Sequence, residues 1–372
     1  METKTLRTDN GLDVVASVPY QLGFRPKDSI VIIGVKPPKG RLGMMSRFDL
    51  SPIQQAGAGR EIAKQLIQYV KADGGNGAFV IRYGKPEDPP AKQDAAMRAV
   101  VQEFSKRLTK VACWDVTNNR VVPLHNSSLE EMGPGFTDAD LASTKMAATM
   151  TSLGMTFQPD RAALADLPEV DRDSARRAQR CQRRELDKIQ LMRADALLDW
   201  RLDQLKRWRS WLERLVEAGE SCDQVDLPAI ELGHMGALIC EQTGRDAVMA
   251  AIINEVEGAD VLAAEGYFNE QVFDNLAAPN KKIDQRYCDA APRLLELVAA
   301  HQSQSFKACT LSVMAWFAWW HSDGARAEVL AEAALALPDP PKMAAMIKDF
   351  VQIGALPQAI RLAASQKKRQ HH

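Results

Sequence analysis

The sequence predicts an N-terminal α/β domain with a mostly parallel mixed sheet, followed by an all-α domain of helical hairpins that ends in a tetratricopeptide-like pair. Three observations carry this expectation. Strand-like apolar runs alternate with amphipathic stretches of helix length as far as about residue 125, the pattern of crossover units. No stretch after residue 130 shows convincing strand alternation. Ala308 to Trp320 and Ala327 to Leu337 read as two helices about a Ser322-Asp323-Gly324 turn, with small residues at Ala327, Ala331 and Ala334 where tetratricopeptide helices pack closely.

The elements follow in order. Asn10 is a candidate cap for a short helix through Leu12, Val15, Val18 and Leu22, which Gly23 stops. Ile30 to Val35 is a continuous apolar run and predicts a strand buried on both faces. Pro37, Pro38 and Gly40 break it, and Leu42 to Leu50 reads as its hairpin partner. Ile62, Leu66, Ile67 and Val70 mark an amphipathic helix over 59–71, closed by the Gly74-Gly75-Asn76-Gly77 run. Ala78 to Tyr83 is a third strand, Met97 to Leu108 a helix, and Val111 to Val116 a fourth strand. Asn118-Asn119 then turns a hairpin into Arg120-Val121-Val122. The domain reading is an α/β domain over 1–125, a polar linker over 126–142, a helical domain over 143–365 and a disordered tail over 366–372.

Composition removes several classes of function. Apolar residues at 46% and charged ones at 26% are those of a globular chain, and a net charge of −1 supplies no global field toward nucleic acid or a membrane. The six cysteines lie far apart, without Cys-x-x-Cys pairs or nearby histidines, so no metal site and no cofactor is expected. The polar start METKTLRTDN is unlike a signal peptide, and no apolar stretch reaches the roughly 18 residues of a membrane span; the expectation is a cytoplasmic protein.

The run Val18-Pro19-Tyr20-Gln21-Leu22-Gly23-Phe24-Arg25-Pro26-Lys27-Asp28-Ser29-Ile30-Val31 resembles the opening phrase of a bacterial family known as the DUF family numbered 4192. Arg47-Phe48-Asp49-Leu50, Arg245-Asp246-Ala247, and Ala315-Trp316 through Ser322-Asp323-Gly324-Ala325-Arg326-Ala327 agree with it in order. The resemblance implies an architecture and brings no activity, cofactor or catalytic residue with it.

Candidate sites come from position and charge. If the strands are parallel, Lys36, Arg82 and Tyr83 gather at one edge of the sheet, where open α/β sheets bind ligands, and could hold an anionic small molecule such as a nucleotide. Gly57-Ala58-Gly59 stands where a phosphate loop would, without its Lys-Ser/Thr pair. No serine lies in a nucleophile elbow, and His234 reads as a satisfied core histidine. Residues 171–214 hold thirteen Lys or Arg against eight Asp or Glu, with Trp200, Trp208 and Trp211 interleaved. Arg176, Arg180 and Arg183 there are the candidate contacts for nucleic acid, while the leucine spacing favours an amphipathic helix with buried indoles. The leading expectation is an interaction or scaffold protein whose helical half binds a protein partner. An enzyme or sensor for an anionic ligand comes second and nucleic-acid binding third.

Overall fold

A computed structural model describes residues 10–38, 40–54, 58–253, 258–266, 285–352 and 355. The predicted tail over 366–372 and Gly57 of the candidate phosphate loop lie outside the described residues. The chain divides into two compact units, Met1–Ala163 and Leu164–His372.

The first unit opens with helix α1 (Gly11–Leu22). Asn10 Oδ1 accepts the Asp13 amide at 2.8 Å, and Gly23 closes the helix at φ 75°, a conformation that favours glycine. Strands β1 (Ser29–Lys36) and β2 (Arg41–Asp49) form the expected hairpin. Short helix α2 (Leu50–Gln54) and α3 (Ala58–Ala72) lead to β3 (Gly77–Tyr83), and α4 (Ala95–Arg107) leads to β4 (Lys110–Thr117). Asn118 and Asn119, at φ 55° and 57°, turn the chain into β5 (Arg120–Leu124). Within 126–142, β6 (Phe136–Thr137) extends the sheet beside β5, and α5 (Asp138–Ala142) starts from a reciprocal cap between Thr137 and Asp140. Helix α6 (Lys145–Ser152) follows.

The sheet order is β2-β1-β3-β4-β5-β6, and it is mostly antiparallel. This corrects the expectation of a mostly parallel sheet: β3 and β4 are the one parallel pair among the described strands, while β1 runs against both β2 and β3. The physical reason is the first hairpin. The α3 crossover does return β3 in the direction of β2, as a crossover should, but β3 docks on the far side of β1. A strand of opposite direction therefore stands between the two that the crossover joins.

Both faces of the sheet are covered, which is why β1 is apolar from Ile30 to Val35. Ile30, Ile32, Ala78 and Val80 pack with Leu66, Val70, Val100 and Phe104 of α3 and α4. Val31, Ile33, Ile81 and Trp114 pack with Val14, Val15 and Val18 of α1.

The second unit has helices and no strand among its described residues: α7 (Arg172–Ile189), α8 (Ala194–Ala218), α9 (Ala229–Cys240), α10 (Gln242–Ile253), α11 (Ala259–Ala264), α12 (Gln285–His301), α13 (Gln304–Trp320), α14 (Gly324–Leu335) and α15 (Lys342–Gln352). They share one core, with Trp208, Leu212, Met235, Leu238, Leu295 and Ala327 at its centre. Helix α7 crosses α9 so closely at Gly233 that a Cβ there would lie 2.5 Å from the Ala178 carbonyl oxygen. Among the described residues no helix is long and apolar enough to cross a membrane.

Candidate functional site

The antiparallel β1 sends Lys36 and Arg82 to opposite ends of the sheet. Lys36 pairs in register with Arg41, beside the start of β3, whereas Arg82 lies opposite Ile30 and Tyr83 opposite Ser29. Six rungs separate Lys36 from that end, about 20 Å at roughly 3.3 Å per residue. Lys36 is also occupied, its Nζ bonded to Asp73 Oδ1 at 2.6 Å.

Arg82 is fully buried and works as a structural clamp. Its Nη1 donates to Asp115 Oδ1 at 3.0 Å and its Nη2 to the Pro89 carbonyl at 2.9 Å, while Asp94 Oδ2 lies 3.3 Å from its Nε. Asp94 is itself the cap of α4, accepting the Ala96 and Met97 amides. The guanidinium thus ties the loop after β3, the start of α4 and β4 together. Burial raises the Asp115 carboxyl above its ordinary range, and Arg82 opposes that shift. Tyr83 is buried beside it. Its hydroxyl and that of its register partner Ser29 have no hydrogen-bond partner among the described residues, and burial pushes the phenol well up, against a smaller opposing effect of Arg25.

The third group of predicted residues does converge. Helix α7 has no internal Gly or Pro, and Asp171 Oδ2 caps it on the Ser174 amide at 2.8 Å. Ala178, Gln182 and Glu185 face the core, so Arg176, Arg180 and Arg183 fall on the outer face with Arg177 and Arg184. These five arginines, with Glu185 and Asp187 of the same helix, line an open groove of about 790 Å³ whose other wall is Ile230 and His234 of α9. Arg176 has a loose pair with Asp173 at 3.6 Å. Arg177, Arg180, Arg183 and Arg184 have no ion-pair partner among the described residues.

Two residues of this groove were missed by sequence reasoning, or misread by it. Ile230, 55% exposed, is an apolar side chain facing solvent beside the guanidinium groups. His234 is not a satisfied core histidine: its Nδ1 lacks a hydrogen-bond partner among the described residues and stands 4.0 Å from Glu185 Oε2. Desolvation lowers its imidazole below the usual range, against an opposing pull from Glu185. Glu185 is already engaged, since its Oε2 accepts Trp200 Nε1 at 2.7 Å.

The indoles of residues 171–214 are not available for stacking. Trp200 and Trp208 are buried, and Trp211 bonds Glu231 and carries the Arg214 guanidinium on its ring. Trp316, Trp319 and Trp320 are buried as well.

Two acid-base contacts elsewhere read as structural. Ser174 Oγ is 3.2 Å from His301 Nε2, and His301 Nδ1 donates to the Leu297 carbonyl at 2.8 Å, so Nε2 accepts. That bond fastens the first turn of α7 to the end of α12, and His301 is buried. A cavity of about 180 Å³ is lined by Cys288, Asp289, His321, Asp323 and Arg326. Asp323 there caps α14 on the Arg326 amide, and Arg326 pairs with Glu296 at 2.5 Å.

A family model described as a domain of unknown function, DUF4192, matches residues 12–266, well over half of the chain. The chain belongs to the DUF4192 family. The match begins in α1, runs through the whole sheet and ends just after α11, so it includes both walls of the arginine groove. No curated protein and no solved structure matches this DUF4192 chain.

Proposed function

We propose that this DUF4192 chain is a protein-interaction module whose helical unit docks an acidic segment of a partner protein along the outer face of α7. The observation that supports the reading most is the cluster of five arginines, four of which have no ion-pair partner among the described residues. Arg176–Arg180 and Arg180–Arg184 are like-charge pairs one turn apart, each costing a helix about 0.2–0.5 kcal/mol. Four guanidinium groups on one 18-residue helix are unpaired among the described residues, so ion pairing there does not support the fold. A carboxylate-rich segment gains a planar, bidentate donor at every turn. Ile230 gives the groove an apolar anchor point, which an acidic peptide with one aliphatic side chain would fill. The small-residue pairing of α13 and α14, tetratricopeptide-like in sequence, fits the same scaffold role.

Nucleic acid is less well served. Phosphates would suit the arginines, but single-stranded bases need aromatic faces, and the indoles near α7 are buried or occupied. A small anion at the strand ends would have to do without Lys36 and Arg82 together. The test is fluorescence anisotropy of the full chain against a labelled Glu/Asp-rich peptide carrying one Leu, beside a single-stranded oligonucleotide of equal charge. Saturable binding of the peptide in preference to the oligonucleotide supports the reading, and the reverse order replaces it with nucleic-acid binding.

A further inference from the structure

Cys240 ends α9 and Cys309 lies in the second turn of α13, 69 residues later. Both line one cavity of about 760 Å³, with Arg245, Met249 and Trp316 around them. Phe306, whose carbonyl the Cys240 thiol approaches, stands one helical turn before Cys309, so α9 and α13 bring the two thiols to the same wall. Cys240 Sγ is held from behind as well. Gln182 Nε2 donates to it at 3.3 Å and Gln302 Nε2 at 3.9 Å, while it lies 3.7 Å from the Phe306 carbonyl on the turn that carries Cys309. Gln302 is fixed in turn by Thr310 Oγ1 at 2.7 Å. Gln182, Gln302 and Thr310 are all buried, so a chain of polar groups in an apolar core ends on one sulfur pair at a cavity wall. Such groups are costly to bury and serve here to hold a sulfur in place. Cys113 and Cys288, by contrast, are buried, and Cys181 faces the arginine groove.

We propose that Cys240 and Cys309 form a reversible dithiol–disulfide pair, oxidised by a hydroperoxide that enters through this cavity. Cys309 is the attacking sulfur. The neighbouring Cys240 thiol lowers its pKa most, Arg245 adds to that, and burial opposes both. The Cys309 thiolate attacks the terminal peroxide oxygen, the O–O bond breaks, and a sulfenic acid forms as hydroxide or alkoxide leaves and takes a proton. The Cys240 sulfur then attacks the Cys309 sulfur. The S–S bond forms, the S–O bond breaks, and the hydroxyl leaves as water with the Cys240 proton. With hydrogen peroxide, two thiols and one peroxide give one disulfide and two waters. A thiol reductant reverses the step by exchange.

The full chain is treated with one equivalent of hydrogen peroxide, alkylated and mapped by mass spectrometry without reduction. The expected result is a cross-linked peptide pair containing Cys240 and Cys309, two hydrogens lighter than the sum of its parts and lost on reduction with dithiothreitol. Cys240→Ser should leave Cys309 as a sulfenic acid trapped by dimedone, and Cys309→Ser should leave Cys240 unoxidised. Recovery of both cysteines as separate alkylated or over-oxidised peptides, or a cross-link from either to another cysteine, overturns the proposal. The wild-type map decides this even if a variant fails to fold.

Discussion

Arg82 and Asp115 form a buried ion pair at 3.0 Å across the single parallel strand pair among the described strands. The pair sits where a ligand was expected at the strand ends, and the loop after β3 fills that place instead: the Pro89 carbonyl accepts from Nη2, and the Asp94 carboxylate lies 3.3 Å from Nε as a counter-charge. Removing the cation leaves up to three carboxylates without their counter-charge, because Asp88 also lies 3.7 Å away. Arg82→Leu is therefore expected to lose about 3–5 kcal/mol of stability, or to fail to fold, as broken buried pairs do. Urea unfolding of the variant checks this, and a loss below about 1 kcal/mol would mean the clamp is not structural.

Tyr83 offers the opposite experiment. Its buried hydroxyl has no partner among the described residues, and an unmade bond of this kind costs about 1–3 kcal/mol. Tyr83→Phe should leave stability unchanged or raise it, read as an equal or higher Tm. A clear drop would show that the hydroxyl has a partner and would revive the strand end as a ligand site.

The α7–α9 crossing depends on Gly233. A methyl group there would meet the Ala178 carbonyl at 2.5 Å and Cys181 Cβ at 2.7 Å, and neither atom is the far end of a flexible chain. Gly233→Ala should cost about 1–3 kcal/mol through overpacking and should also weaken acidic-peptide binding, since both groove walls move. Chemical denaturation and anisotropy on one sample test the two together.

His321 sets a pH dependence. It is wedged against Phe317 and Trp320, with ring centroids at 4.5 and 5.0 Å, and desolvation lowers its pKa from 6.5 despite the nearby Asp289. The unfolded chain then binds the proton more tightly than the folded one. The stability from the neutral ring, exposed along one side but packed on the two aromatic rings, is present above about pH 6.5 and is lost as pH falls through the lower, folded value. His321→Phe should flatten the decline in Tm between neutral and mildly acid pH, and an unchanged slope would assign the decline to other groups.

Local signals were legible in the sequence wherever a few neighbouring residues decide the outcome. The Asn10 cap, the Gly23 stop, the doubly buried β1 and the Asn118-Asn119 turn were each read from chemistry within a few positions of the element. Strand direction was not legible, because hydrophobic period is the same in either direction and does not say on which side of a hairpin the next strand docks. The same limit applies to the sites. The arginine run of α7 is plain in one dimension, but Ile230 and His234 come from a helix some fifty residues on, and nothing local marks them as its other wall. Cys240 and Cys309 show no motif because only the packing of α9 on α13 brings them together.

The central claim is that charge on the outer face of α7 selects an acidic partner, and a charge swap tests it most directly. In anisotropy titrations, Arg180→Glu with Arg183→Glu should weaken binding of the acidic peptide by at least about tenfold, with unchanged helical content by circular dichroism. The same variant should gain affinity for a peptide in which every Glu and Asp is replaced by Lys. Equal binding of the acidic peptide by the wild-type chain and the variant, or no binding by either, would contradict the claim.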